Sequence, residues 1–150
     1  MWSQKSPTSS TKPKPPRRSK PVPLPLLLRL GRLMRVHGHS MAPLLHPGQL
    51  VFIDQAAYET RPPRRGELVA ARPAALGGSQ AFVKRVVGLP NEQVEMDGRA
   101  WQLGAGEYFL VGDHHAHSID SRTFGPVKHD ELIGPVTARL WPWKRLTSDA

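Results

Sequence analysis

The sequence predicts a single, mainly β domain carried behind a disordered basic arm. Three observations lead there. Sixteen prolines and 13 glycines in 150 residues are heavy use that argues against a helical bundle. From Leu50 onward, short β-branched and aromatic runs alternate with turn residues. Residues 1–25, by contrast, are Ser, Thr, Pro and Lys with almost nothing to bury.

Charge follows the same division. Residues 1–53 hold no Asp or Glu and nine basic residues, Lys5, Lys12, Lys14, Arg17, Arg18, Lys20, Arg29, Arg32 and Arg35. The remaining 12 Lys and Arg face 12 acidic residues, so the chain from Asp54 onward is formally neutral and the net +9 sits in residues 1–53, mostly in the arm. A nucleic-acid-binding domain would carry its positive charge on the folded part, and none is expected here. A basic arm is free to meet anionic lipid or an acidic partner, or simply to stay solvated. With no cysteine, disulfides, thiolate metal sites and a cysteine nucleophile are excluded.

After the arm comes PLPLLLRLGRLMRV, residues 23–36. It is too short and too rich in arginine to span a membrane, which takes roughly 20 apolar residues. As a helix it would set Arg29, Arg32 and Arg35 against leucines, as suits a membrane interface. A helix or strand packed on the domain fits it equally. Prolines before the run and the lack of a small-residue cleavage site argue against a secretory signal. Localisation is therefore expected to be cytoplasmic or peripheral to a membrane. QLVFID, ELVAA, AFVKRVV, EQVEM, RAWQL and EYFLV follow as strands. Asp97-Gly98 joins two of them as a hairpin, since both positions tolerate positive φ. GPVTARLW reads as an edge strand, because Pro135 has no N–H for a ladder. The domain should span residues 26–145, with a tail over 146–150.

Ser40 in HGHSMAP is either a turn residue or a nucleophile, and a nucleophile needs a base. His39 is adjacent, where geometry rarely serves; His37 would share its face in a strand. Lys84 is the stronger candidate. In a strand it shares a face with Phe82 and Val86, while Arg85 shares one with Val83 and Val87. Apolar surroundings disfavour the ammonium and lower its pKa, making lysine a usable base. The plainer reading is a lysine that buries its stem and wets its head. In VGDHHAHSIDSRTFGPV, residues 111–127, Asp120 and Arg122 are two apart and able to pair, and Ser118 can orient a further polar group.

Taken in order, HGHSMAPLLHPGQLV, FVKRVVGLP and GDHHAHSIDSRTFGPV resemble the signal peptidase I family of Ser/Lys endopeptidases, from about Val36 to Gly134. The resemblance implies a compact, predominantly antiparallel β fold and cleavage of a precursor after small residues, with no cofactor. It implies that Ser40 is the nucleophile, Lys84 the general base, Ser118 the hydroxyl that orients that base, and Met41 a wall of the substrate cleft. Asp120 and Arg122 would be the pair that holds the loop. The backbone N–H of Ser40 would meet the oxyanion.

Several positions depart from the family pattern. Gly38 stands where many members have a serine, His114-His115 where Asn-Arg is usual, and Gly48-Gln49 where Gly-Asp is usual. The membrane span is missing or reduced to the arginine-broken leucine run. RPPRRGELVAARP and DSRTFGPV resemble the small members assigned as nickel superoxide dismutase maturation proteases, which would make a dismutase precursor the partner. Two rival readings are a metal site built from His37, His39, His114, His115 and His117, and a binding module that keeps the fold without turnover.

Overall fold

The computed structural model describes residues 31–141 and 143–146. The expected arm, the leucines before Gly31 and the tail after Leu146 lie outside the described residues. Ten strands run in chain order: β1 (Gly31–Arg35), β2 (Leu50–Asp54), β3 (Leu68–Ala71), β4 (Phe82–Gly88), β5 (Gln93–Met96), β6 (Arg99–Gln102), β7 (Glu107–Val111), β8 (Val127–Lys128), β9 (Leu132–Leu140) and β10 (Trp143–Arg145). Eight of them form one antiparallel sheet in the order β1-β2-β9-β3-β4-β7-β8, with β10 also paired to β9. The other two, β5 and β6, form the expected hairpin, with Asp97 at φ 52° and Gly98 at φ 71°.

All four residues of β3 are buried, which explains its unbroken apolar text. Leu68 and Ala70 face one core, with Val36, Met41, Leu45, Val51, Ile53, Val83 and Val136. Val69 and Ala71 face another, with Val86, Tyr108, Leu110 and Val127. Burial of each larger side chain stabilises the fold by about 1.5–3 kcal/mol. A third cluster of Leu103, Phe109 and Val111 sits under the β5–β6 hairpin, and Trp101 packs on Phe109 with ring centroids 4.7 Å apart.

One reading of the sequence is corrected and one open choice is resolved. The Pro135 strand is central, not an edge: β9 pairs with β2 on one side and with β3 and β10 on the other. Proline is tolerated there because the register slips on both sides of it, between Phe52 and Ile53 and between Ala70 and Ala71. Gly134 is required at the same place, since a Cβ would lie 2.2 Å from the Asp54 carbonyl oxygen. For the leucine-arginine run, where helix and strand both fitted the sequence, the structure selects the strand. Its described part, Gly31–Arg35, is a strand paired residue for residue with β2, which leaves no helix there.

Candidate active site

Ser40 lies in the loop between β1 and β2, in a turn rather than a strand, so His37 gains no shared strand face with it. The loop is pinned at its neck, where Val36 N–H donates to Gln49 O at 2.8 Å and Gly48 N–H to Val36 O at 2.9 Å. Met41 and Leu45, 2 % and 0 % exposed, anchor its far side in the first core. That fixes the backbone on both sides of the serine. Hydrophobic anchoring thus presents a half-buried hydroxyl without a helix beneath it.

Strand β4 brings in the basic residues. Lys84 is only 3 % exposed, with its Nζ 6.0 Å from the centroid of the Phe82 ring. Burial pulls its pKa down from 10.5 to about 8; the Asp120 charge partly opposes this and the Arg122 charge adds to it. Arg85, on the opposite face, makes a different contact. Its Nε and Nη2 each donate to the Asp113 carboxylate at 2.7 Å, and its Nη1 donates to Gly66 O at 2.7 Å. Of the two cations in this strand, then, the lysine is buried against apolar surface and the arginine is paired.

The segment after β7 closes the site. Lys84 Nζ donates to Ser118 Oγ at 3.3 Å, and Ser118 Oγ donates to Asp120 Oδ2 at 2.7 Å. Asp120 is fully buried and also accepts from Gly112 N–H, from Arg122 N–H and from Arg122 Nε and Nη2. Burial alone would raise its pKa, but the hydrogen bonds from Arg122, Ser118 and Gly112 hold it below the usual carboxylate range. Arg122 Nη2 donates as well to His115 O at 2.9 Å. The predicted Asp120–Arg122 pair is therefore present, and it fastens the loop.

Two backbone contacts unite Ser40 with this network. His114 N–H donates to Ser40 O at 2.9 Å. Gly112 packs so tightly that a Cβ there would lie 2.2 Å from Ser118 Oγ and 2.7 Å from Ser40 O. Sequence reasoning gave no role to Gly112 or to the Arg85–Asp113 clamp; the one available signal was Gly-Asp directly after a strand.

Beside Ser40 opens a groove of about 210 Å³, lined by Met34, Val36, Gly38 and Met41 on one side and by Gln80, Phe82 and Val83 on the other. Met41 thus serves both core and groove. Of the five histidines considered for a metal site, His37 lines this groove, and the tilted rings of His114 and His117 pack with centroids 4.6 Å apart. No group of three or more potential metal ligands forms among the described residues.

The family model described as "Signal peptidase, peptidase S26" matches residues 26–102 and 98–141. The chain belongs to the signal peptidase family S26. This S26 chain is 34% identical over 139 residues to the mitochondrial inner membrane protease subunit 2 of Mus musculus, covering 85% of this chain and 79% of that one. It is 28% identical over 188 residues to the signal peptidase I of Leptolyngbya laminosa, covering 94% and 93%. Signal peptidase I of Bacillus caldolyticus matches at 27% over 147 residues, covering 73% and 79%. As an S26 member the protein is a serine-type endopeptidase of the Ser/Lys class. Among the described residues no helix is long and apolar enough to cross a membrane.

Proposed function

We propose that Ser40 is the nucleophile and Lys84 its general base in the removal of an N-terminal leader from a precursor protein. The observation that carries this is Lys84 itself: a buried lysine with a pKa near 8, held by Ser118 in the loop that also grips Ser40. Ser118 commits its proton to Asp120, so it offers Lys84 an acceptor and holds one ammonium N–H. On deprotonation, the amine lone pair is left for the Ser40 proton.

Ser40 Oγ then attacks the scissile carbonyl carbon, and Lys84 returns the proton to the leaving amine as the C–N bond breaks. Water, deprotonated by Lys84, attacks the acyl carbon, and Lys84 returns that proton to Ser40 Oγ as the acyl C–Oγ bond breaks. The Ser40 N–H serves the oxyanion, with Gly38 supplying no side-chain donor. The leader lies extended in the groove between residues 34–38 and 80–83.

For the substrate we favour a nickel superoxide dismutase precursor, on the strength of RPPRRGELVAARP and DSRTFGPV. A secretory pre-protein is the second reading, favoured by the names of the relatives. The basic arm would hold the enzyme peripherally at an anionic membrane. Incubating both precursors with wild type, Ser40→Ala and Lys84→Ala tests the dyad and the substrate. Cleavage lost in both variants supports the dyad, and the precursor that is cut selects the substrate. Cleavage that survives Ser40→Ala overturns the assignment.

A further inference from the structure

Among the described residues the β5–β6 hairpin pairs with no strand of the main sheet, yet its tip ends on the loop that carries Ser118. A two-stranded hairpin is marginally stable by itself and needs a face to pack on. Val94, Met96 and Trp101 supply that face and pack on Leu103, Phe109 and Val111. Phe109 and Val111 belong to β7, the strand that runs directly into Gly112 and Asp113. The hairpin therefore rides on the strand that delivers the loop.

Asp97 and Arg99, on either side of Gly98, both hold Arg122. Asp97 Oδ2 accepts from Arg122 Nη1 at 3.3 Å, and Arg99 Nη1 donates to Arg122 O at 3.2 Å. Arg122 spends Nε and Nη2 on Asp120 and on His115 O, so Asp97 takes the nitrogen that they leave. Arg99 is itself steadied, with its guanidinium 5.0 Å from the centroid of Trp101, the ring that packs on Phe109. A line of contacts thus runs from the core beneath the hairpin to Arg122, and on through Asp120 and Ser118 to Lys84. Its outer link works as an acceptor more than as an ion pair. The Asp97 side chain is 64 % exposed, where its charge is screened and adds little to stability. What it supplies is direction, because a planar guanidinium gripped at three nitrogens is fixed in its plane. We infer that Asp97 is a positioning residue, and the hairpin tip a brace that orients Arg122 and through it the Lys84 base. Its effect on rate rests on the Ser40/Lys84 reading above; the brace itself does not.

The test replaces Asp97 in the full chain without disturbing the turn. Asp97 stands at φ 52°, where glycine and asparagine are both at ease, so Asp97→Gly removes the acceptor and Asp97→Asn keeps one. Asp97→Gly should lower kcat on a leader peptide about five- to tenfold, with KM within about twofold and thermal unfolding little changed. Asp97→Asn should restore kcat. In an Arg122→Ala background Asp97→Gly should have no further effect, because its partner is already gone. The Arg122 Nε proton, followed by NMR in the Ser40→Ala protein, gives a readout that needs no cleavage. Its exchange with water should quicken with Asp97→Gly and stay slow with Asp97→Asn. Wild-type kcat and wild-type exchange in Asp97→Gly overturn the inference. So does an equal loss in both variants, or a loss that persists in the Arg122→Ala background. Cleavage that survives Ser40→Ala removes the dyad reading instead, and leaves the exchange rates to decide the brace.

Discussion

The Nζ of Lys84 lies 3.3 Å from the Oγ of Ser118, and that same oxygen donates to Asp120 at 2.7 Å. The order of donors matters: Asp120 takes the hydroxyl proton, so Ser118 only accepts from the lysine. Ser118 is therefore a positioning residue under the proposed mechanism. Ser118→Ala should lower kcat by about 10²-fold while KM changes less than about threefold, because base orientation is lost and leader binding is not. Steady-state kinetics on a peptide substrate checks the split; a change confined to KM would contradict the role.

A base whose pKa is about 8 must be neutral to act, so kcat/KM should rise with pH through an apparent pKa of about 8 and fall tenfold per unit below it. The neighbouring charges set the position of that limb. Asp120 raises the Lys84 pKa and Arg122 lowers it. Asp120→Asn should consequently move the limb below 8, with a reduced plateau, and Arg122→Ala should move it above 8. Identical limbs in all three proteins would mean that another group titrates.

Much of this site was legible in the sequence, but unevenly. Ser40, Lys84, Ser118, Asp120 and Arg122 stand in short motifs, and the Asp120–Arg122 pairing needed only a two-residue spacing. Strand positions were legible from turn residues and β-branched runs. What stayed hidden depends on long-range pairing. Arg85 meets Asp113 across 28 positions, which no local pattern encodes. Pro135 looked like an edge residue because local chemistry forbids a ladder bond there. Only the register slips on either side reveal how a central strand accommodates it.

Burial of Lys84 predicts an effect on stability opposite to its effect on activity. Its folded pKa of about 8 lies below the unfolded value of 10.5, so the unfolded chain binds more protons between those limits. Wild-type stability should therefore rise with pH across that window, and below about pH 8 the buried ammonium costs the fold its full penalty. Lys84→Met, inactive, should be the more stable protein at pH 7 by about 1–2 kcal/mol. That advantage should shrink between pH 8 and 10.5 in denaturant titrations. A gap independent of pH would mean that packing, not charge, separates them.

Gly112 allows a direct test of whether Ser40 and the base network are mechanically coupled. A methyl group at this position meets Ser118 Oγ at 2.2 Å, Ser118 Cβ at 2.6 Å and Ser40 O at 2.7 Å, and neither neighbour has room to move away. The Ser118 side is held by Asp120, and the Ser40 side by the His114 N–H and the anchored Met41. Gly112→Ala should thus cost about 1–3 kcal/mol of stability through overpacking and reduce kcat by about 10²-fold or more. Adding Ser118→Gly removes the two closest clashes but not the one with Ser40. The double variant should recover most of the stability and none of the activity, a non-additivity that thermal unfolding and single-turnover cleavage would read together. If Gly112→Ala alone keeps full activity, the loop and the serine are not coupled in this way.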